Sequence, residues 1–462
     1  MADLNCTTAE RFAHHKRHVR FWNFAKLVVP FWARRKVNLT YDSLADIEPP
    51  FLLLCNHTTN PDPIFVGMAL GRQGYFVATE NLLHKGFVTK LLMRYFCPII
   101  HQKGRLGLRS AKEMQQALSK GAVVVLFPEG SRTFNGLSLP IPPVTAKMAR
   151  KAGHVVCVRM EGGYLTQPRW ATTMRRGRLH IAKTLDLDAE AMKAMTDAEL
   201  QDAIVCALDE DAYGRQEQIT AAEGAPVAFK GKHLALGMES TLFVCPECQR
   251  MGTLRSDDER IFCSTPGCNF SATYLPTGYL EAPAGSDKPL RFATITSWDL
   301  WQQEQLRQRI AKVWEVQRQW QDDAHVNATG PDGEPTTGMP APPEPVQLFS
   351  DHVTLERYND AHEVTDSIPG FLTVFAGGTT DDGFTPIPGY AIFEGDGGMN
   401  AQDTTVRIAL ADIEGMGLFT RNTLIAHVGK PPVHYEVRGD VGFNAVKYSY
   451  AFEAMSTFSE KA

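Results

Sequence analysis

The sequence predicts an α/β protein: a mixed, mostly parallel sheet flanked by helices, followed by a cysteine-knuckle segment and a small mostly-β domain with a C-terminal helix. Three observations predict this. Between about residues 50 and 185, short apolar runs alternate with helical stretches, the pattern of buried strands joined by crossover helices. Four cysteines gather within residues 241–275. Beyond residue 349 the chain turns to short alternating segments broken by glycine turns. At 462 residues, more than one core is expected.

Residues 1–40 read as a helical, basic and aromatic segment. Phe21, Trp22, Phe24, Phe31 and Trp32 lie among Lys16, Arg17, Arg20, Lys26, Arg34, Arg35 and Lys36. Rings flanked by cations suit the headgroup boundary of an anionic bilayer, and they equally suit packing onto the domain behind. Residues 41–215 form the α/β domain. Its strands are expected at Phe51–Leu54, Gly74–Val77, Cys97–Ile100, Ala122–Phe127, Val155–Val158 and Leu179–Ala182. Its helices are expected at Lys85–Tyr95, Leu108–Ser119 and Val144–Ala152, with the acidic stretch 184–213 helical and closing the domain. A cysteine module follows at 241–275. Ser297 then caps a Trp-rich helix over 297–323, a segment that holds four of the seven tryptophans and so must dock. Residues 325–345 are a Pro/Gly-rich linker. Residues 346–462 form the β-rich domain, ending in a helix near Phe443–Met455.

The net charge of −5 hides a split. Of 47 Lys/Arg and 52 Asp/Glu, residues 1–180 hold 26 and 10, and the remainder holds 21 and 42. A basic front half suits phosphates or an anionic membrane. The dense run Arg169, Arg175, Arg176 and Arg178 fits lipid headgroups or nucleotide phosphates, and fits an ordinary solvated surface as well. No apolar leader with a small-residue cleavage site and no run of 18 apolar residues is present. The expectation is a cytoplasmic protein, peripheral on the inner face of the cell membrane.

Two blocks carry the chemistry. Asn56-His57-Thr58-Thr59-Asn60-Pro61-Asp62 follows the first apolar run, and Phe127-Pro128-Glu129-Gly130-Ser131-Arg132-Thr133 follows another. Both sit where a strand ends, the place where α/β folds bind ligands. An imidazole suits removal of a hydroxyl proton at neutral pH, and a carboxylate on its far nitrogen fixes the tautomer. On a helix, residues five apart lie about 140° apart, so His57 and Asp62 meet only if a strand-to-helix turn folds the carboxylate back. Arg132 offers a fork of donors to a phosphate, Gly130 permits close backbone approach, and Ser131 adds a donor. Glu129 repels phosphate, so it accepts a bond from a substrate hydroxyl or orients Arg132. Between the blocks, the strand ending at His101 is followed by Lys103 and Arg105, two further candidates for the anion.

In this order and spacing, His-x4-Asp, a basic strand end about forty residues on, and Phe-Pro-Glu-Gly-Ser-Arg-Thr resemble the glycerolipid acyltransferase superfamily, including the 1-acylglycerol-3-phosphate (lysophosphatidic acid) acyltransferases. The resemblance covers about residues 40–215. It implies the glycerol-phosphate-acyltransferase-like fold, His57 as general base with Asp62 orienting it, and Glu129 and Arg132 at the glycerol-phosphate site. Two departures leave the acceptor open. Members usually carry an Arg at the strand end where this chain has His101-Gln102, and a Phe-Lys-x-Gly-like turn and a later strand proline where it has Ile141-Pro142-Pro143-Val144 and Val155-Val156-Cys157-Val158.

Nine cysteines are scattered except for Cys245-x2-Cys248, fourteen intervening residues, and Cys263-x4-Cys268. Two knuckles of this spacing make a four-thiolate set for a closed, structural Zn²⁺ site, a zinc ribbon. The odd total and the metal-like cluster favour a reducing compartment. With the Trp298-Asp299-x-Trp301-Gln302 segment, the chain resembles a bacterial subgroup of these acyltransferases with an extended C-terminus, and Phe443–Tyr448 loosely resembles the end of a pleckstrin-homology-type fold.

The expected function is transfer of an acyl chain from acyl-CoA or acyl carrier protein to a lysophospholipid hydroxyl, first of all 1-acylglycerol-3-phosphate. Acylation of glycerol 3-phosphate or another lysolipid is the alternative within this chemistry. A non-catalytic membrane adaptor and a nucleic-acid-binding zinc ribbon are alternatives outside it. The acidic rear half disfavours nucleic acid, so none is expected as a partner.

Overall fold

A strand buried on both faces needs near-continuous apolar sequence, and the runs that have it build the central sheet. The computed structural model describes residues 7–79, 82, 87–101, 108–286, 288–328, 341–359, 363–379, 387–396, 405–440 and 442–459. Its contacts divide the chain into two units: Met1–Leu236 with Ser256–Ile261 and Ser271–Thr296, and Gly237–Arg255 with Phe262–Phe270 and Ser297–Ala462.

The first unit starts with α1 (Thr8–Ala13), opened by a Thr7/Glu10 capping box, and α2 (His15–Val37). Then follow β1 (Leu39–Tyr41), β2 (Phe51–Cys55), α3 (Asp62–Leu70), β3 (Gly74–Thr79), α4 (Phe87–Tyr95), β4 (Ile99–His101), α5 (Leu108–Ser119) and β5 (Val123–Leu126). The remainder is α6 (Val144–Ala152), β6 (His154–Glu161), α7 (Gly163–Thr166), β7 (Leu179–Asp188), α8 (Ala189–Lys193), α9 (Asp197–Leu208) and α10 (Ala212–Glu223). The seven strands form one sheet in the order β1-β7-β6-β2-β5-β3-β4. β6 and β7 pair antiparallel, and the other neighbours run parallel. The expected mixed, mostly parallel sheet flanked by helices is therefore the fold of the front of the chain.

Apolar clusters fill both faces of this sheet. One gathers Phe51, Leu53, Phe65, Val125, Val156 and Ile181 with Trp22, Ala33 and Val37 of α2. The other gathers Leu52, Leu54, Tyr75, Val124, Val155 and Cys157 with residues of α5, α6 and α9. The register of β2 on β5, from Phe51↔Val123 to Leu54↔Leu126, sends the chain leaving β2 out beside the chain leaving β5. That register positions the site.

Three local expectations change. Residues 184–188, expected to be helical, extend β7, because His154↔Asp188 and Val156↔Asp186 pairing with β6 overrides their acidic composition. The Trp-rich helix begins at Ile295, so Ser297 lies inside its first turn rather than capping it. Cys97 is disulfide-bonded, although its sequence context shows no disulfide framework.

β8 (Leu254–Ser256) and β9 (Arg260–Cys263) each span a division point of the chain, and β10 (Ser271–Tyr274) pairs with β11 (Leu280–Glu281) in the first unit. The second unit holds most of α11 (Ile295–Ala328), then β12 (Val346–Tyr358), β13 (Val364–Ala376), β14 (Gly389–Gly395), β15 (Thr405–Ala409), β16 (Ile413–Phe419), β17 (Thr423–Val428), β18 (Val433–Gly439) and α12 (Val446–Ser459). β12 to β18 make one antiparallel sheet, order β15-β14-β13-β12-β18-β17-β16, with α12 after it. The expected β-rich region with a C-terminal helix is present.

Candidate active site

His57 sits in the turn after β2, and Asp62 is the first residue of α3. The strand-to-helix turn brings the two together, as their spacing required. His57 Nδ1 lies 2.8 Å from Asp62 Oδ2; since a carboxylate only accepts, Nδ1 carries a proton, and in the neutral ring Nε2 then presents the lone pair. Asp62 is fully buried, a costly place for a charge unless it is well bonded. It is well bonded: the backbone amides of Thr58 (2.6 Å) and Thr59 (2.9 and 3.0 Å) donate to it, as does the Thr59 hydroxyl. Its place in the first turn of α3 adds the favourable end of the helix dipole. The two threonines, whose amides hold the carboxylate in place, carry no signal in the sequence beyond their place in the turn.

The second block reaches back to the first. The Glu129 carboxylate accepts from the His57 amide (2.8 Å) and from the Leu139 amide (2.7 Å). The Thr133 amide donates to the His57 carbonyl at 2.9 Å. The His57 backbone is thus gripped from both sides, while its ring stacks on Phe127 with centroids 4.7 Å apart. Burial pushes the Glu129 carboxyl up to about 8, opposed by its two amide donors. Gly130 makes the turn with φ of +67°, a left-handed conformation that other residues adopt at a cost.

Arg132 is only 9 % exposed. Among the described residues its guanidinium makes no hydrogen bond and no ion pair, although the charge of Asp62 helps hold it protonated against the pull of burial. Ser131 is partly buried and accepts a bond from Arg169. Lys103 and Arg105 lie outside the described residues. The run of arginines separates into different roles. Arg169 is buried against this block, Arg175 is buried with its guanidinium on the Tyr274 hydroxyl, and Arg178 pairs with Glu223. Arg176 remains exposed.

In the second unit, Cys245, Cys248, Cys263 and Cys268 bring their sulfurs within 4.8 Å of one another. Two knuckles hold them: one tied by Cys245 N to Arg250 O and Gly252 N to Phe243 O, the other by Cys263 N to Phe270 O and Cys268 N to Thr265 O. The Cys245–Cys268 and Cys248–Cys263 sulfur separations are both 3.7 Å. The edge of a tetrahedron of sulfurs about 2.3 Å from a central ion is about 3.8 Å, so the donor set fits a metal ion.

Residues 35–164 match the sequence model of the Acyltransferase family. Among solved structures, the 1-acyl-sn-glycerophosphate (LPA) acyltransferase PlsC from Thermotoga maritima is 19% identical. That match covers 46% of this chain and 94% of that one, with a TM-score of 0.33. The structure of Dcp1p is 11% identical over 24% of this chain and 81% of that one, with a TM-score of 0.18. No curated protein matches the chain.

Proposed function

We propose that the chain is a glycerolipid acyltransferase that transfers an acyl chain from acyl-CoA or acyl carrier protein to a lysophospholipid hydroxyl, with 1-acylglycerol-3-phosphate as first acceptor; the match of residues 35–164 to the Acyltransferase family supports this reading. The single observation that carries this is the pairing of a base with an unpartnered buried cation. Asp62 holds His57 Nδ1, and among the described residues neither His57 Nε2 nor the Arg132 guanidinium has a hydrogen-bond partner. His57 Nε2 takes the proton as the acceptor oxygen attacks the thioester carbonyl. The tetrahedral centre then collapses, the C–S bond breaks, and the leaving sulfur takes the proton back from the imidazolium. Asp62 stabilises that imidazolium, and Arg132 with Ser131 holds the phosphate. No acyl-enzyme is needed, because the attacking nucleophile belongs to the acceptor.

Helix α2 supports a peripheral membrane site. One face of the helix buries Trp22, Ala33 and Val37. The other leaves Phe24, Leu27, Val28 and Phe31 exposed at i, i+3, i+4 and i+7, with Phe24, Leu27 and Phe31 at 64, 75 and 72%. An exposed apolar stripe beside Lys26, Arg34, Arg35 and Lys36 suits shallow insertion into an anionic leaflet. Trp32 of α2 stacks near Phe65 of α3 (6.2 Å), so this face adjoins the helix that carries Asp62. Among the described residues no helix is long and apolar enough to cross a membrane.

The four cysteines would hold Zn²⁺. Four thiolates leave no open position, so the ion would brace the two knuckles and take no part in the reaction. The seven-stranded sheet followed by α12 supports a pleckstrin-homology-type fold for the last domain.

The test is an acyl-transfer assay on the full chain with a panel of lyso-acceptors. His57→Ala should lower kcat by roughly 10²–10⁴-fold, and Arg132→Ala should raise the KM of phosphate-bearing acceptors roughly 10–100-fold. Unchanged activity in His57→Ala would sink the mechanism, and inactivity of the wild type on every acceptor would favour an adaptor. In flotation with anionic vesicles the wild type should rise, and the pair Leu27→Asp with Phe31→Asp should stay below.

A further inference from the structure

We infer that Arg169 is a positioning residue for the acceptor-phosphate site, acting through Ser131 and Arg132; the inference rests on the function proposed above. Arg169 falls beyond residue 164, where the family match ends, and in the sequence it belongs to a run that fits lipid headgroups, nucleotide phosphates or a solvated surface. In the fold it is 5% exposed. Its Nη1 donates to the Arg132 carbonyl at 2.9 Å and to Ser131 Oγ at 3.3 Å, and its guanidinium lies 4.6 Å from the centre of the Phe134 ring. The three contacts fall on Ser131, Arg132 and Phe134, at the end of the block and just beyond it.

Two consequences follow for the anion. The bond to the Arg132 carbonyl fixes the backbone from which that side chain projects, so its guanidinium is held in place before an anion arrives. The bond to Ser131 Oγ occupies a lone pair, which leaves the hydroxyl hydrogen to turn toward an incoming oxygen and makes Ser131 a donor. Preorganised donors lose less freedom on binding, and the gain appears in affinity for the phosphate-bearing acceptor.

The rest of the segment is equally anchored. Gln167 accepts from the Asn60 amide (3.2 Å), in the turn that leads into Asp62, and Trp170, fully buried, donates to the Leu234 carbonyl (3.1 Å). The stretch 167–170 therefore braces the turn of the base and the turn of the cation together. A lysine could not replace the arginine, because a single ammonium on a flexible stem lacks the planar fork and the ring stacking.

The experiment compares wild type, Arg169→Gln, Arg169→Lys, Arg132→Ala and the double variant Arg169→Gln/Arg132→Ala. Each is assayed with 1-acylglycerol-3-phosphate and with phosphate-free 1-acylglycerol, and Arg176→Gln serves as an exposed control from the same run. Arg169→Gln and Arg169→Lys should both raise the KM of the phosphate-bearing acceptor roughly tenfold, with kcat held within about twofold and the phosphate-free acceptor unaffected. In the Arg132→Ala background, Arg169→Gln should add little, since the two act on one site. A rise that is fully additive in that background, a fall in kcat with KM intact, or equal losses on both acceptors overturns the positioning role. If Arg132→Ala itself leaves KM unchanged, the phosphate site is wrong and this inference falls with it. The first set of failures leaves the proposed function standing; the last does not.

Discussion

The two units treat their buried polar groups differently. In the first, the groups beyond β2 and β5 are finished on one side only: Asp62 and Glu129 are satisfied by protein donors, while His57 Nε2 and the Arg132 guanidinium have no hydrogen-bond partner among the described residues. In the second, two carboxylates and the cysteines close on their neighbours, although Thr241 Oγ1, the Trp314 indole nitrogen and Gln317 Oε1 are buried without a hydrogen bond among the described residues. Asp351 takes both Lys447 (2.8 Å) and the Tyr448 hydroxyl (2.6 Å), Asp299 takes Gln302, Gln303 and Tyr450, and the four cysteine sulfurs face one another. Leaving a buried polar group incomplete costs stability, so a base and a cation left open together at two adjoining strand ends point to a ligand, whereas carboxylates closed by their neighbours point to architecture.

The comparison breaks first at Asp62. Asp62→Asn keeps the shape and removes the charge that fixes the His57 tautomer, so kcat should fall on the order of 10³-fold with little change in acceptor KM; a loss of threefold or less would mean the pair is structural. A second test concerns the closed unit. Cys248→Ser should abolish stoichiometric zinc, measured by metal analysis of the purified full chain, and make the residues around the knuckles protease-sensitive while leaving kcat within about threefold. Zinc retained in that variant, or activity lost with the metal, would blur the division between chemistry and architecture.

The remaining test concerns stability rather than rate, at Glu129. Burial raises its carboxyl above the unfolded value, to about 8, so the folded protein binds more protons than the unfolded one between about pH 4.5 and 8. Stability from this group is present below that window and is lost as pH rises through it, by about 1.4 kcal/mol per pH unit at most. Glu129→Gln lacks the titration, so the apparent Tm of the wild type relative to the variant should fall from pH 5 to pH 8. A difference that stays constant, or that grows with pH, would show that the two amide donors keep the carboxylate ionised throughout.

Much of the site was legible because its chemistry is written in short blocks. The five-residue spacing of His57 and Asp62 already demanded a turn, and Gly130, read as permitting close backbone approach, takes a left-handed backbone there. The role of Glu129 was not legible: sequence reasoning pointed it at a substrate hydroxyl or at Arg132, and the fold gives both its oxygens to the amides of His57 and Leu139. Nor was the burial of Arg169, which shares its composition with the exposed Arg176. Helix α2 presented two uses for its aromatics, and the packed structure assigns Trp22 to the core and Phe24 and Phe31 to the surface.

The sequence by itself determined the kinds of element and the kinds of chemistry: which runs are strands, which turns carry a base or a cation, and which cysteines belong together. Side-chain direction repeats every two residues in a strand and every 3.6 in a helix, so such patterns are local and can be read locally. Only the tertiary structure decided which groups finish one another. The bond from His57 to Glu129 spans 72 residues and that from Arg169 to Arg132 spans 37. The first depends on the register that sets β2 beside β5, and the second on the anchoring of 167–170. Neither leaves a periodic trace in the chain.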